Sequence, residues 1–237
     1  MIPHKLTLCL LFILFLQITG FAQKKPPSGG RPAVVVDERL AALRSTPHLN
    51  GKLLRRLSRG RLVVVRSFKT GADGITFLLV NVTRRTHGWI QRDAVVSPSR
   101  FGDDRRLLTL IQRSDRFDRI SRARIFLDHF PRSALRPEVL LLLGDTAESL
   151  AEKLSLDAAR RLKDDLGDAP ESSYYLNYTG LDRYNRQRVG FVFDKTAKRF
   201  HYDGAAWREL IRRYPRSSAA SEARKRLDLL FSQVRIM

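Results

Sequence analysis

Phe130-Pro131-Arg132-Ser133 and Tyr214-Pro215-Arg216-Ser217 are two copies of one short phrase, and they decide the fold of the second half of the chain. Each phrase follows a run with apolar residues at helical three-and-four spacing. These residues are Ile120, Ala123, Leu127 and Phe130 in the first run, and Trp207, Leu210, Ile211 and Tyr214 in the second. The proline disfavours the α conformation at the aromatic residue before it, and the serine can accept a hydrogen bond from the first amides of a following helix. We therefore predict a helix hairpin at each phrase.

The helices predicted after the two phrases carry apolar stripes of their own. Their apolar residues are Val139, Leu140, Leu143, Ala147, Leu150 and Leu154 in the first helix, and Ala220, Ala223, Leu227, Leu230 and Val234 in the second. The phrases and the residues behind them resemble the corners of tetratricopeptide-type repeats. They lie 84 residues apart, whereas adjacent repeats of that family are about 34 residues apart. A segment is therefore inserted between them, and the resemblance implies a surface that binds a protein partner.

The amino terminus has the composition of a cleaved secretory signal. Lys5 precedes the apolar run 6–18, which is shorter than the roughly 20 residues of a membrane span, and the small residues Gly20 and Ala22 suit signal peptidase. Cys9, the only cysteine, lies in this segment, so the chain after residue 22 has no thiol. Exported chains without cysteines are typical of bacterial envelopes rather than of disulfide-rich eukaryotic secretomes. We expect an exported bacterial protein, located in the periplasm or cell envelope.

The chain is strongly basic, with a formal charge of +20 that falls to +19 without Lys5. Such a surface attracts polyanions, including nucleic acid, anionic lipid headgroups and acidic wall polymers. Export argues against nucleic acid as a partner, whereas contact with a membrane surface stays compatible with the charge. The alternative is a compositional bias toward arginine, with the charges spread over solvated helix faces.

From residue 33 onward the pattern changes to short β runs separated by turns. The runs are rich in Val, Ile, Leu and Phe, and they span residues 34–36, 40–43, 52–57, 61–66, 75–82 and 86–91. Gly60 and the pair Asp73-Gly74 are typical turn residues between them. Several short strands in succession predict a small closed or nearly closed barrel, which exposes little sheet edge.

This β segment resembles bacterial SH3-like (SH3b) domains. The resemblance begins over residues 43–65, in which Pro47 and a polar loop lead to Lys52-Leu53-Leu54. It ends on Gly88-Trp89-Ile90, followed by the short strand Ala94-Val95-Val96. One difference from the family pattern is that the aromatic residue expected at the start of the strand after the Asp73-Gly74 turn is displaced.

The resemblance implies a non-catalytic attachment module for cell-wall peptide or glycan. Stacking on aromatic rings and hydrogen bonds to carboxylates would hold such a ligand. The candidate ligand-binding residues are Phe68, Phe77, Trp89 and Arg92. For Phe77 and Trp89 the alternative is a place in the core of the barrel.

The segment 171–203 is an insertion in which aromatic and basic residues alternate. Residues 189–193 and 199–202 are predicted to pair as a β-hairpin around 194–198. Aromatic rings interleaved with arginine can bind partner side chains, and the candidate partner-binding residues are Tyr174, Tyr175, Tyr178, Tyr184 and Arg186. The alternative is that the same rings pack the hairpin onto the helices.

The sequence thus predicts an α+β protein, in which a small all-β SH3-like barrel precedes an α-helical hairpin domain with an inserted β-hairpin. The predicted segments are a signal peptide (1–22), a flexible linker (23–32), the barrel (33–98), a helical repeat region (99–170), the aromatic and basic insertion (171–203) and a carboxyl-terminal helix hairpin (204–237).

The sequence has no motif of a nucleophilic enzyme, a metalloprotease or a phosphate-binding loop, and its histidines lack metal-ligand spacing. We therefore predict no enzyme activity, no metal and no cofactor. The predicted function is an exported envelope adaptor, whose barrel attaches to cell-wall material and whose helices bind a protein partner. The alternatives are a protein–protein scaffold with a basic surface for an acidic protein or a membrane, and a cell-wall hydrolase whose carboxylate pair meets only in space.

Overall fold

The computed structural model describes residues 30–164 and 180–235 and shows an α+β protein. The first part of the chain forms a seven-stranded antiparallel sheet, and all of the predicted strands are present. The strands are β1 (Arg31–Val35), β2 (Ala42–Arg44), β3 (Leu53–Arg56), β4 (Leu62–Thr70), β5 (Thr76–Asn81), β6 (His87–Gln91) and β7 (Val95–Val96). β1 begins at Arg31, within the predicted linker, because Arg31 and Pro32 pair with Val65 and Val64 of β4. The predicted signal peptide lies outside the described residues, as does the linker before Gly30.

The sheet has the strand order β3-β2-β6-β5-β4-β1-β7. β4 is the longest strand, with nine residues. Residues 62–65 pair with β1, and residues 64–70 pair with β5, with a bulge between Val65 and Ser67. Because a bulge bends a strand and increases its twist, β4 curves the sheet around one apolar face. That face encloses a core that includes Val35, Leu43 and Val80.

The prediction of a closed or nearly closed barrel is confirmed only as an antiparallel sheet, and the described strands do not close into a barrel. Within the described residues no ladder joins β3 to β7, the two ends of the strand order. The physical reason lies at the β7 edge, which helix α1 (Asp103–Gln112) covers in place of a strand. Arg106 of α1 donates from Nη2 to the carbonyl oxygen of Val95, which would otherwise be an open acceptor of the edge strand.

Six α-helices are described in the second part of the chain. In addition to α1, they are α2 (Arg116–His129), α3 (Arg136–Asp164), α4 (Leu181–Asn185), α5 (Ala205–Arg213) and α6 (Ser218–Arg235). α3, with 29 residues, is the central helix and contacts α1, α2, α5 and α6. Both predicted hairpins are confirmed, since α2 and α3 flank the first phrase and α5 and α6 flank the second.

The two corners meet in space although they are far apart along the chain. Arg136, at the start of α3, is buried and donates from Nη1 to the carbonyl oxygen of Leu127 at 2.7 Å. Its Nε lies 3.0 Å from the phenol oxygen of Tyr214 in the second corner. The two helix hairpins are therefore neighbours.

The predicted β-hairpin of the insertion is also confirmed. β8 (Phe191–Asp194) and β9 (Arg199–Tyr202) pair with Phe191 opposite Tyr202. β9 is held against α3 by its own backbone amides. The amide of Phe200 donates to Ser155 Oγ at 2.7 Å, and the amide of Tyr202 donates to Glu148 Oε2 at 2.9 Å. The hairpin thus becomes part of the helical layer.

The sheet and the helices are joined by apolar packing. Val34, Val36 and Val96 are fully buried, and they pack in the same cluster as the buried residues of α1, α2 and α3. Buried Arg122 of α2 reinforces this junction, because its Nε donates to the carbonyl oxygen of Val36 at 3.1 Å. Arg59, in the β3–β4 turn, forms an ion pair of 2.9 Å with Asp118 of α2. The described parts therefore form one continuous unit.

A search of the described residues finds no helix with the length and hydrophobicity of a membrane span.

Candidate functional site

The structure brings two of the four predicted ligand-binding residues together. Phe68, on β4, is 73% exposed, and it lines a cavity of about 340 Å³ with exposed Arg92. Arg31 and Arg100 add two further cations to the lining, and Leu78 adds an apolar surface. The cavity lies at the end of the curved face of the sheet, beside α1.

Phe77 and Trp89 do not line this cavity, and the register of the sheet explains why. Phe68 pairs with Leu78, so the next residue along β5, Phe77, points to the opposite face of the sheet. Trp89 pairs with Leu79 and shares that opposite face. Phe77 is fully buried, which leaves its ring no access to a groove ligand, and it lies on the face of β5 opposite the sheet-core residues Leu78 and Val80. Trp89 is half-buried, away from the cavity.

A buried carboxylate forms one wall of this cavity. Asp103 Oδ2 accepts a hydrogen bond of 2.7 Å from the amide of Ser97, and Oδ1 lies 3.4 Å from Arg106 Nε and 3.9 Å from Arg100 Nε. Burial raises the pKa of Asp103 above its ordinary value, against the opposing effects of the Ser97 amide and Arg106. Asp103 therefore holds the turn between β7 and α1 in place, and it orients Arg100 at the rim.

A second, larger cavity adjoins the first. It has a volume of about 1050 Å³ and lies between residues 98–109 and the first helix corner, residues 129–135. Phe101 lies at this cavity with its side chain fully exposed to solvent. Ser133 donates to Asp104 Oδ2 at 2.7 Å, which fixes the corner against α1. Burial lowers the pKa of His129 in the lining, so its imidazole is neutral at pH 7.

Arg100 lines both cavities. We call the two cavities together the junction groove, and define it by the side chains that carry its chemistry: Phe68, Arg92, Arg100, Phe101, Arg105 and Arg132. The groove combines exposed aromatic rings with guanidinium groups. Rings of this kind stack on flat apolar faces such as those of sugars, and guanidinium groups bind carboxylates or phosphates with paired hydrogen bonds.

Sequence reasoning missed the larger half of the groove. The available signal was Phe101 itself, an aromatic residue within the polar turn Pro98-Ser99-Arg100-Phe101-Gly102, outside any apolar periodicity. An aromatic side chain in a turn has no core position to occupy, and it is therefore a candidate for binding.

The predicted partner-binding residues of the insertion divide into three groups. Tyr174, Tyr175 and Tyr178 lie outside the described residues. Tyr184 is buried, so its prediction as a partner contact is wrong. Its ring packs edge-to-face against Phe117 at 5.6 Å and Phe191 at 5.4 Å between centroids, which attaches the insertion to α2. Arg186 is exposed.

Metal-ligating side chains do not cluster in the described part of the chain: no three His, Cys, Asp or Glu side chains are close enough together to hold a metal ion. His201, which is buried in β9, accepts a hydrogen bond at Nε2 from Arg199 Nε at 3.0 Å. Its Nδ1 lies 3.7 Å from Glu148 Oε1. The first contact lies within β9, and the second is too long for a hydrogen bond, so Nδ1 is a buried nitrogen without a hydrogen-bond partner among the described residues.

The chain has no significant match among protein families, curated proteins or solved structures.

Proposed function

We propose that this protein is a non-catalytic binding protein of the bacterial cell envelope, in which an SH3-like β module attaches to cell-wall peptide or glycan. The arrangement of strands supports the SH3-like assignment. β4, β5 and β6 form a meander, a 3₁₀ helix (Arg92–Ala94) follows, and the short strand β7 returns to pair with β1. This succession agrees with the sequence resemblance, which ends on Gly88-Trp89-Ile90 and a short last strand.

The observation that carries the proposal is the exposure of Phe68 beside Arg92, Arg31 and Arg100. The phenylalanine ring is 73% exposed, and its position beside these arginines lets one ligand stack on the ring and bind the cations at the same time. Cell-wall glycan offers sugar faces that stack on such a ring, and the attached peptides offer carboxylates to the arginines.

The helical part is proposed to hold a protein partner, as in tetratricopeptide-like proteins. Its two hairpins are neighbours in space although a segment is inserted between them in the sequence. Three apolar side chains near the far end of this layer are more than half exposed: Val192 at 59%, Leu229 at 57% and Phe231 at 51%. They favour a contact with protein, and they also suit the alternative of a scaffold that binds only proteins.

A pelleting assay with purified peptidoglycan tests the proposal. The point variants Phe68→Ala and Arg92→Ala in the full chain are preferable to isolated halves, because removing the helices would expose Val34, Val36 and Val96. We expect each variant to bind about tenfold more weakly, the loss that follows from about 1.4 kcal/mol of stacking or charge-assisted hydrogen bonding.

The matched control is the double variant Arg55→Ala/Arg56→Ala, which removes two exposed cations from β3, outside the junction groove. If this control weakens binding as strongly as Arg92→Ala, the attraction is a general charge effect and the proposal is wrong. Absence of pelleting by the wild-type protein would also overturn it. Release of soluble wall fragments during the incubation would instead identify a hydrolase.

A further inference from the structure

Phe101 is presented by a turn with a defined backbone. The amide of Arg100 donates to the carbonyl oxygen of Ser97 at 3.1 Å, and the amide of Asp103 donates to that of Arg100 at 3.3 Å. Gly102 follows with φ of 80°, a left-handed conformation that glycine adopts without strain. The backbone that carries Phe101 is therefore fixed before a ligand arrives, which reduces the backbone entropy lost on binding.

The cations around Phe101 are not neutralised by the protein. No ion pair or side-chain hydrogen bond engages the guanidinium of Arg105 or Arg132 within residues 30–164 and 180–235. Arg100 has only a distant ion pair of 3.9 Å with Asp103. Asp104 is the one acid among the residues that line the larger cavity, and it already accepts a hydrogen bond from Ser133. This half of the groove therefore has positive charge available for an anionic ligand.

The two halves repeat the same chemistry on either side of Arg100. One half has exposed Phe68 with Arg92, and the other has exposed Phe101 with Arg105 and Arg132. We propose that a single extended glycan chain with acidic substituents occupies both halves, so that the ligand of the junction groove is a polymer with a repeating acidic unit and not a single small unit. This inference rests on the proposed function and specifies the ligand class of the same site.

Occupation of two subsites by one chain has a measurable consequence. Once the first repeat is bound, the second repeat is held near its own subsite, and the effective concentration raises the overall affinity by about 10²–10⁴ when the spacing fits. A single repeat unit cannot show this gain. The dependence of affinity on ligand length therefore distinguishes the polymer from a monomeric ligand.

The experiment compares two soluble peptidoglycan fragments: one disaccharide-peptide, and an uncrosslinked glycan strand of several such repeats. Titration calorimetry with the full chain should give a dissociation constant at least tenfold lower for the glycan strand than for the disaccharide-peptide. The triple variant Phe101→Ala/Arg105→Ala/Arg132→Ala should lose this difference, because only the Phe68 half can then hold a repeat. The double variant Arg55→Ala/Arg56→Ala is again the control, and it should keep the difference.

The possible results separate this inference from the proposed function. Equal affinity of the wild-type protein for both fragments, with binding that still depends on Phe68, overturns the inference alone. The inference alone is also overturned if the triple variant still binds the glycan strand more tightly than the disaccharide-peptide. If neither fragment binds, both proposals fail. Thermal unfolding of each variant shows whether it is folded, and Arg105→Ala/Arg132→Ala, which leaves the Phe101 turn unchanged, gives a second test of the larger subsite.

Discussion

Arg136 donates a hydrogen bond of 3.0 Å from Nε to the phenol oxygen of Tyr214. The bond joins the beginning of α3 to the second helix corner, and Nη1 of the same guanidinium binds the carbonyl oxygen of Leu127 in front of the first corner. One buried side chain therefore fixes the distance between the two hairpins.

The variant Tyr214→Phe tests this link. Removing the phenol oxygen leaves Nε of a buried guanidinium without its acceptor, and we expect the free energy of unfolding to fall by about 1–3 kcal/mol. Chemical denaturation measures the change. Tyr184→Phe is the matched control, because the donor to Tyr184 is exposed Arg183, which water can satisfy. An equal loss in both variants would contradict the structural role of Arg136.

Gly144→Ala should destabilise the protein although it lies inside α3. Glycine to alanine in a helix is ordinarily stabilising by up to about 1 kcal/mol. At this position, however, a Cβ atom would lie only 2.2 Å from Nε1 of Trp207, which is almost fully buried. We expect overpacking to cost about 1–3 kcal/mol and to lower the melting temperature. Ser149→Ala, at an exposed position of the same helix, should leave the free energy of unfolding unchanged. If Gly144→Ala raised the melting temperature instead, α3 and α5 would be able to move apart and make room for the added methyl group.

Asp37 should make the protein sensitive to acid. The side-chain hydrogen bond from Arg39 holds the pKa of this carboxyl below its ordinary value of 3.8, against the opposing effect of burial. The stability that the carboxylate contributes is therefore present above about pH 4 and is lost as the pH falls through the lowered pKa. We expect Asp37→Asn to lose less stability than the wild type between about pH 5 and pH 2, measured from urea midpoints.

The carboxyl of Asp145 should change the stability of the protein with pH in the opposite direction from that of Asp37. Burial raises the pKa of its carboxyl above 3.8, and Arg226 opposes the shift. Its contribution is largest below about pH 4 and is lost as the pH rises through the raised pKa. The wild type should therefore lose stability relative to Asp145→Asn as the pH rises. If the stabilities of Asp37→Asn and Asp145→Asn, each relative to the wild type, changed with pH in the same direction, both pKa shifts would be contradicted.

Arg122→Lys should weaken the junction between sheet and helices. Its guanidinium donates to Val36 at 3.1 Å and to Ser114 Oγ at 2.6 Å, and it forms an ion pair of 3.5 Å with Asp118. A lysine ammonium cannot reproduce the fork geometry of these contacts, and we expect a loss of about 2 kcal/mol. Arg113→Lys, at an exposed position, should leave the midpoint of denaturation unchanged. Unchanged stability of both variants would mean that apolar packing alone holds the junction.

The helix corners and the strands could be predicted because local chemistry determines them. Proline after an aromatic residue ends α2 and α5, and serine follows near the start of the next helix. Whether the sheet closes into a barrel depends instead on long-range packing. Val34 and Val36 face the helices while Val35 faces the core of the sheet, and a run of three valines gives no sign of which partner covers each face.

The candidate site was predictable only in part for a similar reason. Phe68 and Phe77 are both aromatic residues on paired strands, yet a difference of one position in the register sends them to opposite faces of the sheet. Phe101 and Arg132 come together because α1 packs beside the first corner, and their separation in the sequence carries no information about that contact.

The valines that join the sheet to the helices also limit how this protein could have evolved. The β module buries Val34, Val36 and Val96 against α1, α2 and α3. If recombination moved the module alone into another gene, these valines would form an exposed apolar patch that promotes aggregation. A protein that inherited the β module without the helices would need polar residues at those three positions. Homologues that carry the module without the helices should therefore show such replacements, and those that keep the valines should keep the helices as well.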